Sequence, residues 1–173
     1  VPTIDAQEIT ILSDKQIYDL RGAWNFKIAK NAINDKNFAN WKITSINAHW
    51  NRSNKYTDQS MSGWYKKIII VKKSANYSLL LSKHHHFIKI YINDILIYDP
   101  FKKGILFENP QVLKSNYINI PKGLIKVGKN VITVNVGCQY CADGHLFSIY
   151  IGTYTSIKKR WLLWNIWYTG LIL

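Results

Sequence analysis

The segment Phe87-Ile88-Lys89-Ile90-Tyr91-Ile92-Asn93-Asp94-Ile95-Leu96-Ile97-Tyr98 decides the fold class of this chain. Ile88, Ile90 and Ile92 fall on one face of an extended chain because side chains of a strand alternate with a period of two. The Asn93-Asp94 pair interrupts the alternation, and both residue types tolerate the positive φ of a tight turn. The segment therefore predicts a β-hairpin, which needs further strands to cover its apolar face.

Other short apolar runs predict those further strands. Residues 20–28 alternate around aromatic side chains, and residues 63–71 end in a run that is apolar on both faces, which is typical of a central strand. The remaining runs are residues 77–82, 117–121, 131–136 and 147–151. With the two hairpin strands this makes eight short strands, separated by turn signals, and no helix of ten or more residues. The pattern predicts an all-β fold, an antiparallel jelly-roll β-sandwich.

The chain has 173 residues, which is long enough for one domain with a hydrophobic core. We expect an extended N-terminal arm over residues 1–16, the sandwich over residues 17–157 and a basic, then Trp-rich, tail over residues 158–173. The tail is too short to cross a bilayer as it stands, since a span needs about 20 apolar residues. It is either the start of a truncated transmembrane span or a segment packed on the sandwich. Its basic start runs against the positive-inside tendency of an outside-to-inside span.

The formal net charge of +13 comes from 23 Lys and Arg against 10 Asp and Glu. Most of these cations are lysines spread along the chain, whereas nucleic-acid surfaces concentrate Arg and Lys on one face. The charge therefore predicts solubility and weak attraction to polyanions, and we expect no nucleic-acid partner.

The order of short motifs resembles that of the galactose-binding-like jelly roll. The motifs are Leu20-Arg-Gly-Ala-Trp-Asn-Phe26, Trp41, Gly63-Trp-Tyr-Lys-Lys67, Ile90-Tyr-Ile-Asn93, Tyr117-Ile-Asn-Ile-Pro121 and Gly128-Lys-Asn-Val-Ile-Thr-Val-Asn-Val136. They are similar to the sugar-binding domain of family 2 glycoside hydrolases and to the extracytoplasmic domain of bacterial seven-transmembrane receptors with diverse intracellular signalling modules. The chain departs from this pattern at Asn93-Asp94, where relatives usually have Asn-Gly, and at Lys66-Lys67, where many have Arg-Arg.

Two clusters contain residue types that bind metals. Cys138, Cys141 and His145 offer three of the four donors that zinc needs. His84 and His86 can share one face of a strand. A disulfide or two unligated thiols explains the cysteines more simply, and exposed histidines at a strand edge explain the second pair. We expect no bound metal and no cofactor.

The acidic residues show no pattern of paired carboxylates of the kind that glycoside hydrolysis needs. The chain also lacks Gly-x-Ser-x-Gly, a phosphate-cradling glycine loop and His-Glu-x-x-His. In the hydrolases that it resembles, catalysis belongs to a separate barrel. No catalytic residue is assigned, and the chain is expected not to be an enzyme.

Aromatic residues in loops favour ligand binding. The C–H faces of sugars stack on Trp and Tyr rings, while polar side chains fix the hydroxyl groups. The predicted lining residues are Trp41, His49, Trp50, Arg52, Tyr140, Asp143 and His145. For Trp41 and Trp50, the alternative is a core position under the long loop of residues 29–62.

The combined hypothesis is a non-catalytic, extracytoplasmic sensory domain of a membrane-anchored signalling protein. It would bind a carbohydrate or a small polar ligand and meet the membrane through its C-terminal segment. The alternatives are an accessory sugar-binding domain of a family 2 glycoside hydrolase and a protein-interaction module with no small ligand. The uncharged, Trp-rich tail favours the receptor hypothesis, because the hydrolase domain should continue into a soluble immunoglobulin-like domain.

Overall fold

The structure is a computed structural model that describes residues 8–11, 16–35, 38, 40–45, 62–82, 87–100, 116–137 and 148–169. These residues contain eleven strands and one helix. The strands are β1 (Ile9–Ile11), β2 (Tyr18–Asp19), β3 (Ala23–Ala29), β4 (Lys42–Ser45), β5 (Ser62–Val71), β6 (Tyr77–Leu81), β7 (Phe87–Ile92), β8 (Ile95–Tyr98), β9 (Asn116–Asn119), β10 (Gly128–Gly137) and β11 (Ile149–Thr153). The helix, α1, is Tyr154–Thr169.

The strands form two sheets. The larger sheet has the order β4-β3-β5-β10-β7-β8, and β1 pairs in parallel with the end of β5 that β3 leaves free. The smaller sheet has the order β2-β11-β6-β9. All pairings of the described strands other than that of β1 are antiparallel. The predicted fold class, an all-β antiparallel sandwich, is confirmed.

The core lies between the two sheets and follows the period-two pattern of the sequence. Fully buried examples are Trp24, Ile90 and Val134 from the larger sheet and Leu79 and Ile151 from the smaller one. Burial of such a side chain stabilises the fold by about 1.5–3 kcal/mol relative to leaving it exposed. Burial of these side chains therefore holds the two sheets together.

The predicted hairpin forms as β7 and β8. Asn93 and Asp94 occupy its turn with φ angles of 49° and 68°. Positive φ at both central residues is the requirement of a type I′ turn, whose twist matches that of the flanking strands. Asn93 also ties the turn to β10, because its side-chain oxygen accepts a hydrogen bond from the Val131 N–H at 2.9 Å.

Three features of the fold correct the predictions. Residues 9–11, predicted to belong to an extended arm, form β1 because Ile11 is fully buried in the core. The described residues contain eleven strands instead of eight, since β1, β2 and β4 are too short to show an apolar period. The 16-residue helix α1 is present although no helix of ten or more residues was predicted.

Helix α1 packs on the outer face of the smaller sheet. Ile157 is fully buried against Leu80 and Tyr150, which point away from the core of the sandwich. Trp161 and Trp164 flank this cluster, and the centre of the Trp164 ring lies 5.7 Å from that of Tyr150. The described part of the tail therefore has a packed position on the sandwich. No helix in the described ranges combines the length and apolar character that crossing a membrane requires.

β2, the second strand of the chain, pairs with the last strand, β11. Gly152 allows other segments to come close to β11 on its outer face. A Cβ atom at this position would lie 3.1 Å from the Gln16 carbonyl oxygen and 3.4 Å from Cγ1 of Ile157. The absence of a side chain thus lets the chain before β2 and helix α1 meet over β11.

Candidate functional site

Only one of the seven predicted lining residues belongs to the described residues. Trp41 is buried and packs with Ala32 and Trp64 on the outer face of the larger sheet, which is the core position given above as its alternative. The other six residues lie outside the described ranges: His49, Trp50, Arg52, Tyr140, Asp143 and His145. The histidine pair and the cysteine cluster lie outside them as well.

Lys66 holds the segment that carries Trp41 against the sheet. Its Nζ donates hydrogen bonds to the carbonyl oxygens of Ile33 at 2.6 Å and Asp35 at 2.7 Å. The same atom lies 5.5 Å from the centre of the Trp41 ring, within the range of a cation–π interaction. Since Lys66 is buried, its charge serves these internal contacts.

Lys67 points into the core from the opposite face of β5. Its Nζ donates a hydrogen bond to the Ala23 carbonyl oxygen at 2.7 Å and lies 5.4 Å from the centre of the Trp24 ring. Burial lowers the pKa of this ammonium group to about 8, because desolvation disfavours the charged form. The two lysines at the position of the Arg-Arg pair thus bind backbone carbonyls on the two faces of one strand.

A groove runs between β8 and β9, which are edge strands of the two different sheets. Its volume is about 350 Å³, within the range of small-molecule sites. The described lining residues are Leu96, Ile97, Tyr98, Asp99, Tyr117, Ile118 and Asn119. Tyr98 and Ile118 are buried, whereas Asn119 is exposed. The groove therefore joins an apolar base to a polar rim.

Asp99 is the one charged side chain among the described lining residues, and only 8% of it is exposed. Its Oδ2 lies 3.4 Å from Nζ of Lys89. Burial, and then the charge of Asp99, raises the pKa of the Tyr91 hydroxyl. Burial also raises the pKa of Tyr98, with a smaller opposing effect from a hydrogen bond to Asn116. Of these two phenols only Tyr98 lines the groove, where it stays neutral beside the Asp99 carboxylate. A neutral phenol and a carboxylate together suit a ligand rich in hydroxyl groups.

Tyr117 connects the groove to α1. It lines the groove, and its ring packs edge-on against Trp161, with ring centres 5.1 Å apart, and against Tyr154 at 6.2 Å. One aromatic side chain is thus shared by the groove wall and the helix.

Comparison with known proteins relates the fold to family 2 glycoside hydrolases, although no family model and no curated protein matches the chain. A family 2 member from Bacteroides cellulosilyticus DSM 14838 is similar with a TM-score of 0.58 and 14% identity, over 79% of this chain and 20% of that chain. A β-glucuronidase from an uncultured Clostridium sp. gives 0.56 and 17% identity, over 84% of this chain and 30% of that chain.

A β-D-glucuronidase from Dictyoglomus thermophilum gives a TM-score of 0.52 and 15% identity, over 86% of this chain and 30% of that chain. This chain therefore spans between a fifth and a third of the length of these proteins. It has the β-sandwich fold of part of them. At these identities the similarity shows the fold alone.

Proposed function

We propose that this chain is a non-catalytic domain that binds a carbohydrate or another small polar ligand in the groove between β8 and β9. The observation that carries the proposal is the meeting of the Asp99 carboxylate, the Tyr98 and Tyr117 side chains and the Asn119 amide in one cavity of about 350 Å³. Aromatic rings stack on the C–H faces of sugars, while carboxylate and amide groups fix hydroxyls. The proposed site differs from the loop residues predicted from the sequence.

The expected ligand is neutral. Asp99 brings a carboxylate to the groove, whereas Lys89, whose Nζ lies 3.4 Å from it, is not among the described lining residues. An anionic ligand such as a uronate would meet a like charge there, which costs binding energy. The whole chain carries a net charge of +13 and attracts anions in general. A preference for neutral sugars would therefore be a property of the groove itself.

A thermal-shift screen against neutral sugars, uronates and polar metabolites tests this proposal. A ligand present at 100 times its dissociation constant adds about 2.7 kcal/mol to the free energy of unfolding. Asn119→Ala removes an exposed amide from the rim and should weaken binding about tenfold. The matched control is Asn34→Ala, which removes an exposed amide outside the groove and should leave binding unchanged.

Two results would contradict the proposed site. A flat response across the whole panel would favour a protein-interaction module with no small ligand. A ligand that is lost in Trp50→Ala and retained in Asn119→Ala would move the site to the loop residues predicted from the sequence.

The non-catalytic role is supported by the carboxylates of the described residues. Asp19 pairs with Arg21 at 2.6 Å, and Asp35 pairs with Lys27 at 2.7 Å. Most glycosidases need two carboxyl groups flanking the bond to be cleaved, and the described lining of the groove holds one. Nitrophenyl glycosides should therefore stay intact in the presence of the pure chain. Hydrolysis that co-purifies with it and is lost in Asp99→Asn would overturn this part of the proposal.

We also propose that the domain acts outside the cytoplasm as the sensory part of a membrane-anchored signalling protein. The basic and Trp-rich segment after the last strand supports this role, as does the contact of Tyr117 with both the groove and α1. The similarity in fold supports the alternative of an accessory domain in a longer family 2 glycoside hydrolase. Fractionation of cells that produce the full-length protein separates the two, since the sensor should sediment with membranes and the hydrolase should be secreted.

A further inference from the structure

We propose that the outer face of α1 docks onto an anionic lipid bilayer, with the helix lying along the membrane surface. The inference rests on the membrane attachment in the proposed function, and it names the surface that makes the contact and the lipid that it meets.

The outer face of α1 is apolar and exposed. Leu162, Leu163 and Ile166 lie on neighbouring turns of this face and are 45%, 49% and 45% exposed. The inner face is apolar too, because Ile157 and Trp164 pack on the smaller sheet. A helix that is apolar on both faces is normally covered on both, and in the described part of the chain the sheet covers only one.

The charges at the start of α1 favour an anionic lipid surface as the partner that covers the outer face of the helix. Lys158 and Lys159 are exposed one turn before the apolar residues. Arg160 is turned inward instead, with its guanidinium carbon 4.7 Å from the centre of the Tyr150 ring. No Asp or Glu follows Asp143 in the sequence, so nothing on this helix opposes the attraction of the lysines to lipid phosphates. A second copy whose helix ran parallel to this one would bring the two lysine pairs together and repel them.

The packing of α1 favours a helix that lies along the membrane. Its inner contacts with Leu80 and Tyr150 hold it along the sheet. A crossing helix would also leave the basic cluster on the outer side, against the positive-inside tendency. An interfacial helix meets no such conflict, because its lysines stay among the headgroups while its apolar face enters the acyl boundary.

Vesicle flotation of the 173-residue chain tests the inference. The chain should float with vesicles of equal parts phosphatidylcholine and phosphatidylglycerol and much less with phosphatidylcholine alone. The double variant Leu163→Ser with Ile166→Ser should weaken this binding about tenfold or more, because apolar burial contributes to interfacial binding. The matched control is Ile43→Ser with Val127→Ser, two apolar residues that are 43% and 61% exposed elsewhere on the surface and should leave binding unchanged.

The charge argument has its own variant. Lys158→Gln with Lys159→Gln should weaken binding to the anionic vesicles about 25-fold, roughly fivefold for each lysine. Equal flotation with both vesicle types would contradict the preference for anionic lipid. No flotation with either type would contradict membrane docking by α1 altogether.

Sedimentation velocity tests the alternative that the outer face of α1 binds a second copy of the chain. A dimer that is lost in Leu163→Ser with Ile166→Ser would assign the outer face to a second copy of the chain. The groove variant Asn119→Ala should bind vesicles as the parent chain does, so failure of ligand binding and failure of membrane binding are observed separately.

Discussion

Lys66 and Lys67 are adjacent in the sequence and serve different parts of the molecule, because successive side chains of a strand point to opposite faces of the sheet. Lys66 binds the carbonyl oxygens of the segment that covers the outer face, and Lys67 enters the core between the sheets. A buried lysine needs hydrogen-bond acceptors for its ammonium group, and backbone carbonyls supply them in both cases. The resemblance to domains with Arg-Arg at this position did not indicate that the two lysines would bind these backbone carbonyl oxygens.

Burial of Lys67 predicts an unusual rise of stability with pH. Its pKa is about 8 in the folded chain, against 10.5 for an ordinary exposed lysine. Between these values the unfolded chain binds more protons at this residue than the folded chain does, so the free energy of unfolding rises with pH. The rise is at most about 1.4 kcal/mol per pH unit from this group. Urea unfolding at about pH 8 and about pH 9.5 measures it.

The control for this prediction is Lys67→Met, in which the group is gone and the rise should be absent. The same variant also controls for the tyrosines, which begin to ionise in the unfolded chain as the pH approaches about 10. A parent chain and a Lys67→Met variant with the same pH dependence would show that Lys67 keeps an ordinary pKa.

The turn of the hairpin gives a pair of matched predictions at neighbouring residues. Asp94 has a φ of 68°, which glycine adopts at lower cost, so Asp94→Gly should raise the free energy of unfolding by about 0.5 kcal/mol. Asn93→Gly should instead lower it by about 1–3 kcal/mol, because the Val131 N–H and the Leu124 carbonyl oxygen lose their hydrogen-bond partner. Thermal unfolding of both variants measures the two signs, and equal shifts would exclude a structural role for the Asn93 side chain.

At the scale of whole elements, the hairpin could be predicted from the sequence and helix α1 could not. The hairpin shows both a period of two and a turn pair, and each signal is local. Helix α1 has apolar residues on its inner and its outer face, so no period of 3.6 marks it as an amphipathic helix. The same uncharged stretch suggested a membrane segment, because composition does not reveal that the smaller sheet covers one side.

Two isoleucines of α1 test how the helix is packed. Ile157 is fully buried, and Ile166 is 45% exposed. Ile157→Ala should lower the free energy of unfolding by about 2–4 kcal/mol, because it leaves a cavity against Leu80 and Tyr150. Ile166→Ala removes the same atoms from a surface position and should change it by no more than about 0.5 kcal/mol. Equal effects in urea unfolding would mean that α1 does not pack on the smaller sheet in solution.

At the scale of the whole molecule, the candidate site depends on how the two sheets meet. β8 is an edge strand of the larger sheet and β9 an edge strand of the smaller one. No local pattern in the sequence indicates that Asp99 and Asn119 line one groove, since only the packing of the sandwich brings them together. Prediction from the sequence therefore succeeded for the fold class and did not find the groove.

The N-terminal segment should be part of one cooperative structure, although the sequence suggested a separate arm. β1 belongs to the larger sheet and β2 to the smaller one, so residues 9–19 connect the two. Ile11 is fully buried in the shared core, whereas Thr10 beside it is exposed.

Ile11→Ala should lower the free energy of unfolding by about 2–4 kcal/mol, and Thr10→Ala should change it by no more than about 0.5 kcal/mol. Tryptophan fluorescence and far-ultraviolet circular dichroism should report the same urea transition in both variants, because a single core unfolds as a unit. An unchanged midpoint in Ile11→Ala, or two separate transitions, would mean that β1 detaches from the sandwich as an arm.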